Sequence, residues 1–174
     1  GHGATGAVNR LVQVLGLHLP LSSNSKVEDR AVVFVGPHEH HSNLLPWRES
    51  SAEVVVIGED ENGQINVQEL QQQLLVYQDR QVKIGSFAAA SNVTGILAPV
   101  DQVTAVLHRH GALSFWDYAT AAPYVRVDMN PVVTGADRAL VSKDAIFVSP
   151  HKFVGGPNTP GILVAKKALF TNST

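Results

Sequence analysis

Short apolar runs and segments of helical period alternate along this chain, and that alternation limits the fold more than any other feature. Ala31–Val35 is an unbroken apolar run ended by Gly36-Pro37, the pattern of a strand buried on both faces. Glu53–Ile57, Val82–Ala89, Ala112–Trp116, Ala145–Ser149 and Gly161–Val164 read as five further strands. Between them, apolar residues recur at helical spacing. Ala7–Gly16 brings Val8, Leu11, Val12 and Leu15 together, with Gly16 suited to the C-terminal cap. The turn Gly1-His2-Gly3-Ala4-Thr5-Gly6 leads into it. Ser42–Arg48 predicts the start of a short helix despite Pro46. Asn66 caps a helix through Tyr77, with Val67, Leu70, Leu74 and Leu75 on one face. Asp101–His110 turns Val103, Val106 and Leu107 inward and stops at Gly111. Val125–Val141 has no clear period. Strand–helix alternation of this kind predicts a three-layer α/β/α fold with a mostly parallel sheet covered on both faces.

No repeat, low-complexity tract or long linker divides the 174 residues, so 1–174 reads as one domain. Hydrophobic residues make up 44% and charged ones 16%, enough to build a core rather than a disordered tail. No apolar run approaches the roughly 20 residues of a membrane span. Gly1–Asn9 lacks the basic and apolar regions of a signal peptide, which predicts a cytoplasmic protein. Thirteen basic residues against fifteen acidic ones form no basic stripe, which argues against nucleic acid as a partner. With no cysteine, the chain carries no disulfide, no Cys-based metal site and no thiol chemistry. A glycine-rich turn opens at residue 1, where a preceding element is expected, and the chain stops soon after Val164. Both ends suggest part of something longer.

In open α/β sheets, ligands sit beyond the carboxyl ends of the strands. The residues just after each strand are therefore a test of function. After Ala31–Val35 comes Gly36-Pro37-His38-Glu39-His40-His41, and after Val82–Ala89 comes Ala90-Ser91-Asn92. Asp117 follows Ala112–Trp116, and Ser149-Pro150-His151-Lys152 ends the fifth run. Imidazole, amide, carboxylate and amine thus emerge on one edge, beside a glycine-rich helix start that can hold an anion. A cofactor bearing a phosphate, a pyridine nitrogen and an aldehyde needs such a set: amides for the phosphate, a carboxylate for the ring nitrogen, a flat side chain for the ring and a lysine for the Schiff base.

Ser149-Pro150-His151-Lys152-Phe153, followed by Gly155-Gly156-Pro157 and Thr159-Pro160-Gly161, resembles the Schiff-base lysine segment of class V aminotransferases. These form the cysteine-desulfurase-like group of fold-type I pyridoxal-phosphate enzymes. Glu39-His40-His41-Ser42-Asn43-Leu44-Leu45-Pro46-Trp47 is similar to their ring-stacking histidine segment. Ser91-Asn92-Val93-Thr94-Gly95 resembles their asparagine loop, and Gly3-Ala4-Thr5-Gly6-Ala7-Val8-Asn9 their phosphate loop. The resemblance implies pyridoxal 5′-phosphate as cofactor, an amino acid as substrate and a homodimer. It further implies a sheet of about seven strands in the complete domain, the Gly161–Val164 strand antiparallel. By it, Lys152 carries the cofactor and shuttles the α-proton, His40 rather than His41 stacks on the ring, and Asp117 pairs with the pyridine nitrogen. Thr5, Ser149, His151 and the amides near Ala4 contact the phosphate, and Asn92 lies near the ring's phenolic oxygen or the substrate carboxylate. Thr120 stands where desulfurases commonly carry a longer glutamine. The family's reactive cysteine and substrate-binding arginine belong to a C-terminal region outside this sequence, and its N-terminal segment is likewise missing.

Three other readings stand beside this one. A truncated, non-catalytic scaffold of the same fold would keep the pattern without the chemistry. Gly1-x-Gly3-x-x-Gly6 matches the dinucleotide-binding spacing, with Glu28 and Asp29 about 20 residues on. That motif must follow a strand, and it leaves Lys152, Asp117 and His40 without a role. His38, His40 and His41 could ligate a metal, but neither helical spacing nor a carboxylate partner supports this, so no metal is expected. Trp47 and Trp116 read as core residues.

Overall fold

The computed structural model describes residues 2–132, 134–135 and 137–171; Gly1, in the opening turn, lies outside them. Six strands form one sheet: β1 (Val32–Val35), β2 (Glu53–Val56), β3 (Lys83–Ala88), β4 (Leu113–Asp117), β5 (Ala145–Val148) and β6 (Ile162–Ala165). Their order is β2-β1-β3-β4-β5-β6. The first five are parallel, and β6 runs antiparallel to β5. Every apolar run read as a strand forms one, with no end displaced by more than one residue.

The helices are α1 (Gly3–Val14), α2 (His41–Arg48), α3 (Val67–Val76), α4 (Val100–Arg109) and α5 (Arg138–Val141). The segment without clear period, Val125–Val141, contributes only α5 among its described residues. α1 starts at Gly3 rather than Ala7, so Gly3-Ala4-Thr5-Gly6 is its first turn and not a lead-in. The cause is remote in sequence: the Ala4 N–H, which has no partner within the helix, donates to Ser149 Oγ at 2.9 Å. At the other end Gly16 takes φ +72. Its N–H reaches the Gln13 carbonyl, and that of Leu17 reaches Val12, each at 3.0 Å. Gly111, at φ +68, closes α4 in the same way.

The Asn66 side chain accepts from the Glu69 N–H at 3.0 Å and caps α3 as its sequence predicts. Leu70 and Leu74 are buried, but Leu75 faces solvent, contrary to the sequence reading. One residue past Leu74 is about 100° further round the helix, beyond the edge of the buried stripe. α2 continues through Pro46 because the next residue anchors it. Trp47 is fully buried, and its indole N–H reaches Ser86 Oγ at 3.1 Å.

Successive strand residues point to opposite faces, and two cores result. Val33, Val35, Phe115 and Phe147 pack with Val8 and Leu11 of α1 and Trp47 of α2. Phe34, Phe87 and Trp116 pack with Leu70 and Leu74 of α3 and Val103 and Leu107 of α4. Each such side chain contributes about 1.5–3 kcal/mol by leaving water. The result is three layers, α/β/α, with both tryptophans in the core. At the amino edge of the sheet, Asp144 accepts from Ser114 N, His108 Nε2 and Lys166 Nζ, each at 2.8 Å. Burial pushes the Asp144 carboxyl up, yet these three donors outweigh it and hold the group below the usual carboxylate range. No helix among the described residues is long and apolar enough to cross a membrane.

Candidate active site

The chain leaves β1 toward β2 on one side, whereas β3, β4 and β5 step off toward the other. A switch in strand order of this sort opens a crevice at the carboxyl edge. A cleft of about 380 Å³ lies there. It gathers residues from five places in the sequence: Ala4 and Thr5 from α1, His40 from the loop after β1, Asn92 after β3, Asp117 and Thr120 at and after β4, and Ser149, His151 and Lys152 after β5. All nine site residues read from the sequence therefore line one cleft.

The start of α1 forms one wall. Gly3 has φ +55, and a Cβ there would stand 2.6 Å from His151 Cε1. A Cβ on Gly161 would overlap the Gly3 carbonyl. Glycine at both positions lets α1, β6 and the His151 turn meet. Ser149 is buried and accepts from Ala4 N, while its own hydroxyl proton has no acceptor among the described residues. Thr5 Oγ1 donates to Ser42 Oγ at 2.7 Å, and Ser42 Oγ lies 2.9 Å from His40 Nδ1. The Ser42 N–H also donates to Nδ1, at 3.1 Å. Nδ1 is thus an acceptor, which leaves the proton of the neutral ring on Nε2.

Asp117 ends β4, 5% exposed, and accepts the Ala119 N–H at 2.8 Å. Burial raises its pKa above the usual carboxylate range. The Ala119 amide, Lys152 and His40 oppose the rise without cancelling it. Lys152 sits in a single 3-10 turn, Pro150–Lys152, directly after β5. It is exposed, and its amine has no hydrogen-bond partner among the described residues. Asn92 is also exposed; its φ is not positive, so left-handed turn geometry does not explain an asparagine there. Its loop is held by Ser91 Oγ, which accepts from Val93 N and Thr94 N at 3.2 Å. Thr120 lines the floor beside Asp117.

Sequence reasoning missed four contributors. His2 and His38 also line the cleft, and Ser42 links Thr5 to His40. Glu39 lies behind the His40 turn, where its carboxyl accepts from Ala88 N at 2.8 Å and Asn43 Nδ2 at 2.6 Å. Ser42 stands two residues past the helix-capping His40, and Glu39 four before Asn43. Those spacings were the available signals. The dinucleotide alternative fails on geometry. Glu28 and Asp29 precede β1 and so lie at the amino edge, where Asp29 binds Lys26 N and Gln81 Nε2. His38 turns its Nε2 toward the Gly63 carbonyl at 3.0 Å and Glu59 at 3.5 Å. A larger hollow of about 590 Å³ lies behind the same strand ends, where Ala89 and Tyr118 point away from the cleft. Its buried lysine, Lys143, is already paired with Asp101 at 3.0 Å.

The fold and this cleft together define a three-layer α/β/α domain with amine, carboxylate, imidazole and helix start gathered on one edge. The sequence profile described as aminotransferase class V matches residues 2–173, and the chain belongs to that family. It is 32% identical over 171 residues to a cysteine desulfurase of Synechococcus elongatus, covering 96% of this chain and 24% of that protein. It is 34% identical over 137 residues to probable cysteine desulfurase 2 of Mycobacterium leprae, covering 76% and 29%. The chain thus spans less than a third of the length of these relatives. The crystal structure of the cysteine desulfurase CsdA from Escherichia coli superposes with a TM-score of 0.72 at 24% identity, covering 96% of this chain and 38% of that one.

Proposed function

We propose that this chain is the pyridoxal 5′-phosphate-binding domain of an enzyme acting on an amino acid, of the class V aminotransferase or cysteine desulfurase/selenocysteine lyase type. The observation that carries the reading is the convergence of Lys152, Asp117, His40 and the start of α1 on one cleft. Because the chain spans so little of its relatives, residues 1–174 are read as one domain of a longer protein that works as a cytoplasmic homodimer.

The donor set fits the cofactor. When bound, pyridoxal 5′-phosphate supplies an aldehyde carbon and a protonated ring that withdraws electrons. The N–H groups at the start of α1 and the unused Ser149 proton would hold the phosphate, with Thr5 and His151 beside it. Asp117, buried at the end of β4, would face the ring nitrogen and keep its proton in place. His40 would lie flat against the ring, its orientation fixed by Ser42. Asn92 would stand near the phenolic oxygen or the substrate carboxylate, and Thr120 near the same oxygen with a shorter reach than glutamine. The Lys152 amine would hold the cofactor's aldehyde and would be the group that takes the proton from the substrate's α-carbon.

The test is a titration with pyridoxal phosphate followed in the visible, then borohydride reduction and peptide mass mapping. The expected result is a new band and one mass increment, on Lys152, both absent in Lys152→Ala. Increments scattered over other lysines would overturn the assignment of Lys152. A folded protein without any band would favour the non-catalytic scaffold.

A further inference from the structure

We propose that Glu39 is a positioning residue of the cleft, its carboxyl group bracing the His40 turn against the end of β3. The inference rests on the cofactor-binding reading for its functional meaning, though not for its geometry.

Glu39 immediately precedes His40, yet it points away from the cleft. The residue is half-buried, and three donors surround its carboxyl. Oε1 accepts from Ala88 N at 2.8 Å and from Gly36 N at 3.3 Å. Oε2 accepts from Asn43 Nδ2 at 2.6 Å. Those donors come from β3, from the end of β1 and from α2. Ala88 lines the cleft, as does His40. One carboxyl group therefore ties together the three elements that carry the His40 side of the cleft. Asn43 extends the brace. It is fully buried, and its Oδ1 accepts from Ser86 Oγ at 2.7 Å and from Trp47 Nε1 at 3.3 Å. An enclosed carboxyl is costly unless each oxygen is used, and here both are. Room is short as well: a Cβ on Gly36 would lie 2.9 Å from Glu39 Oε1.

The network suggests its own rescue. In Glu39→Gln the new amide nitrogen meets the Asn43 amide nitrogen, donor against donor. Adding Asn43→Asp restores an acceptor. The introduced glutamine would keep the Ala88 and Gly36 bonds and donate to the introduced aspartate, which could still accept from Ser86 and Trp47.

Two readouts separate positioning from bulk stability. One is the ring ¹⁵N shifts of His40 in the cofactor-free protein, assigned with His40→Gln. The other is the dissociation constant for pyridoxal phosphate, with thermal melting to confirm folding. Glu39→Ala should move the His40 shifts and weaken cofactor binding by about tenfold or more, and E39Q/N43D should return both toward the parent. A folded Glu39→Ala protein with unmoved His40 shifts and parental affinity would overturn the proposal. So would a folded E39Q/N43D protein no better than E39Q. Should Glu39→Ala fail to fold, the comparison of E39Q with E39Q/N43D decides alone. Should the parent take up no cofactor while Glu39→Ala still moves His40, the cofactor reading fails and the positioning role stands.

Discussion

Raising the pH through neutrality should destabilise this domain through Glu39, and the size of the effect can be worked out from its surroundings. Burial pushes the Glu39 carboxyl from its ordinary 4.5 up to about 7; bonds from Asn43, Ala88 and Gly36 restrain the rise, and the nearby Asp117 charge adds to it. The unfolded chain releases this proton near 4.5, whereas the folded protein keeps it until about 7. Between those values unfolding releases a proton, so stability falls as pH rises. The contribution is fully present below 4.5 and lost above about 7. At 1.36 kcal/mol per pH unit the loss is about 3 kcal/mol. Urea unfolding, followed by Trp47 and Trp116 fluorescence from pH 4.5 to 8, measures it. With a slope of roughly 2 kcal/mol per M, the parent's midpoint should drop by about 1.5 M relative to that of Glu39→Gln. Asp117 titrates in both proteins, so it largely drops out of the comparison. Parallel curves for parent and variant would refute the reasoning.

Two further outcomes are expected. Asp144→Asn strips a buried carboxylate from His108 and Lys166, and should cost about 3 kcal/mol in urea unfolding at pH 7. Because its pKa is lowered, the stability it supplies should be present above the ordinary 3.8 and fade as pH falls through the folded value. Gly3→Ala forces an L residue into φ +55 and its Cβ against His151. A loss of about 1–2 kcal/mol in thermal melts is expected, together with weaker binding of pyridoxal phosphate.

Much of this architecture could be read from residue order alone because its strands are buried on both faces. A central strand such as Val32–Val35 has to be continuously apolar, and such runs are hard to mistake. Helix ends at Gly16 and Gly111 were equally legible, since each needs a left-handed residue. The start of α1 was not: its first amide is satisfied by Ser149, which no local pattern reveals. The polar residues at the end of each strand pointed to the cleft, because strand ends in parallel sheets share an edge. The hydroxyl of Ser42 and the carboxyl of Glu39 stayed hidden. Their near neighbours His40 and Asn43 were in view, but Thr5 and Ala88 come within reach only in the folded chain.

The link from Thr5 through Ser42 to His40 gives the cleft a sense of direction. Each hydroxyl can point its hydrogen only one way at a time, and here both point from α1 toward the imidazole. An anion arriving at the start of α1 would compete for the Thr5 hydrogen, and Ser42 would have to answer for the loss. Ser42 can keep its own hydrogen on Nδ1 beside its N–H, so the histidine at the far wall would hold its orientation while the near wall fills, with no backbone displaced.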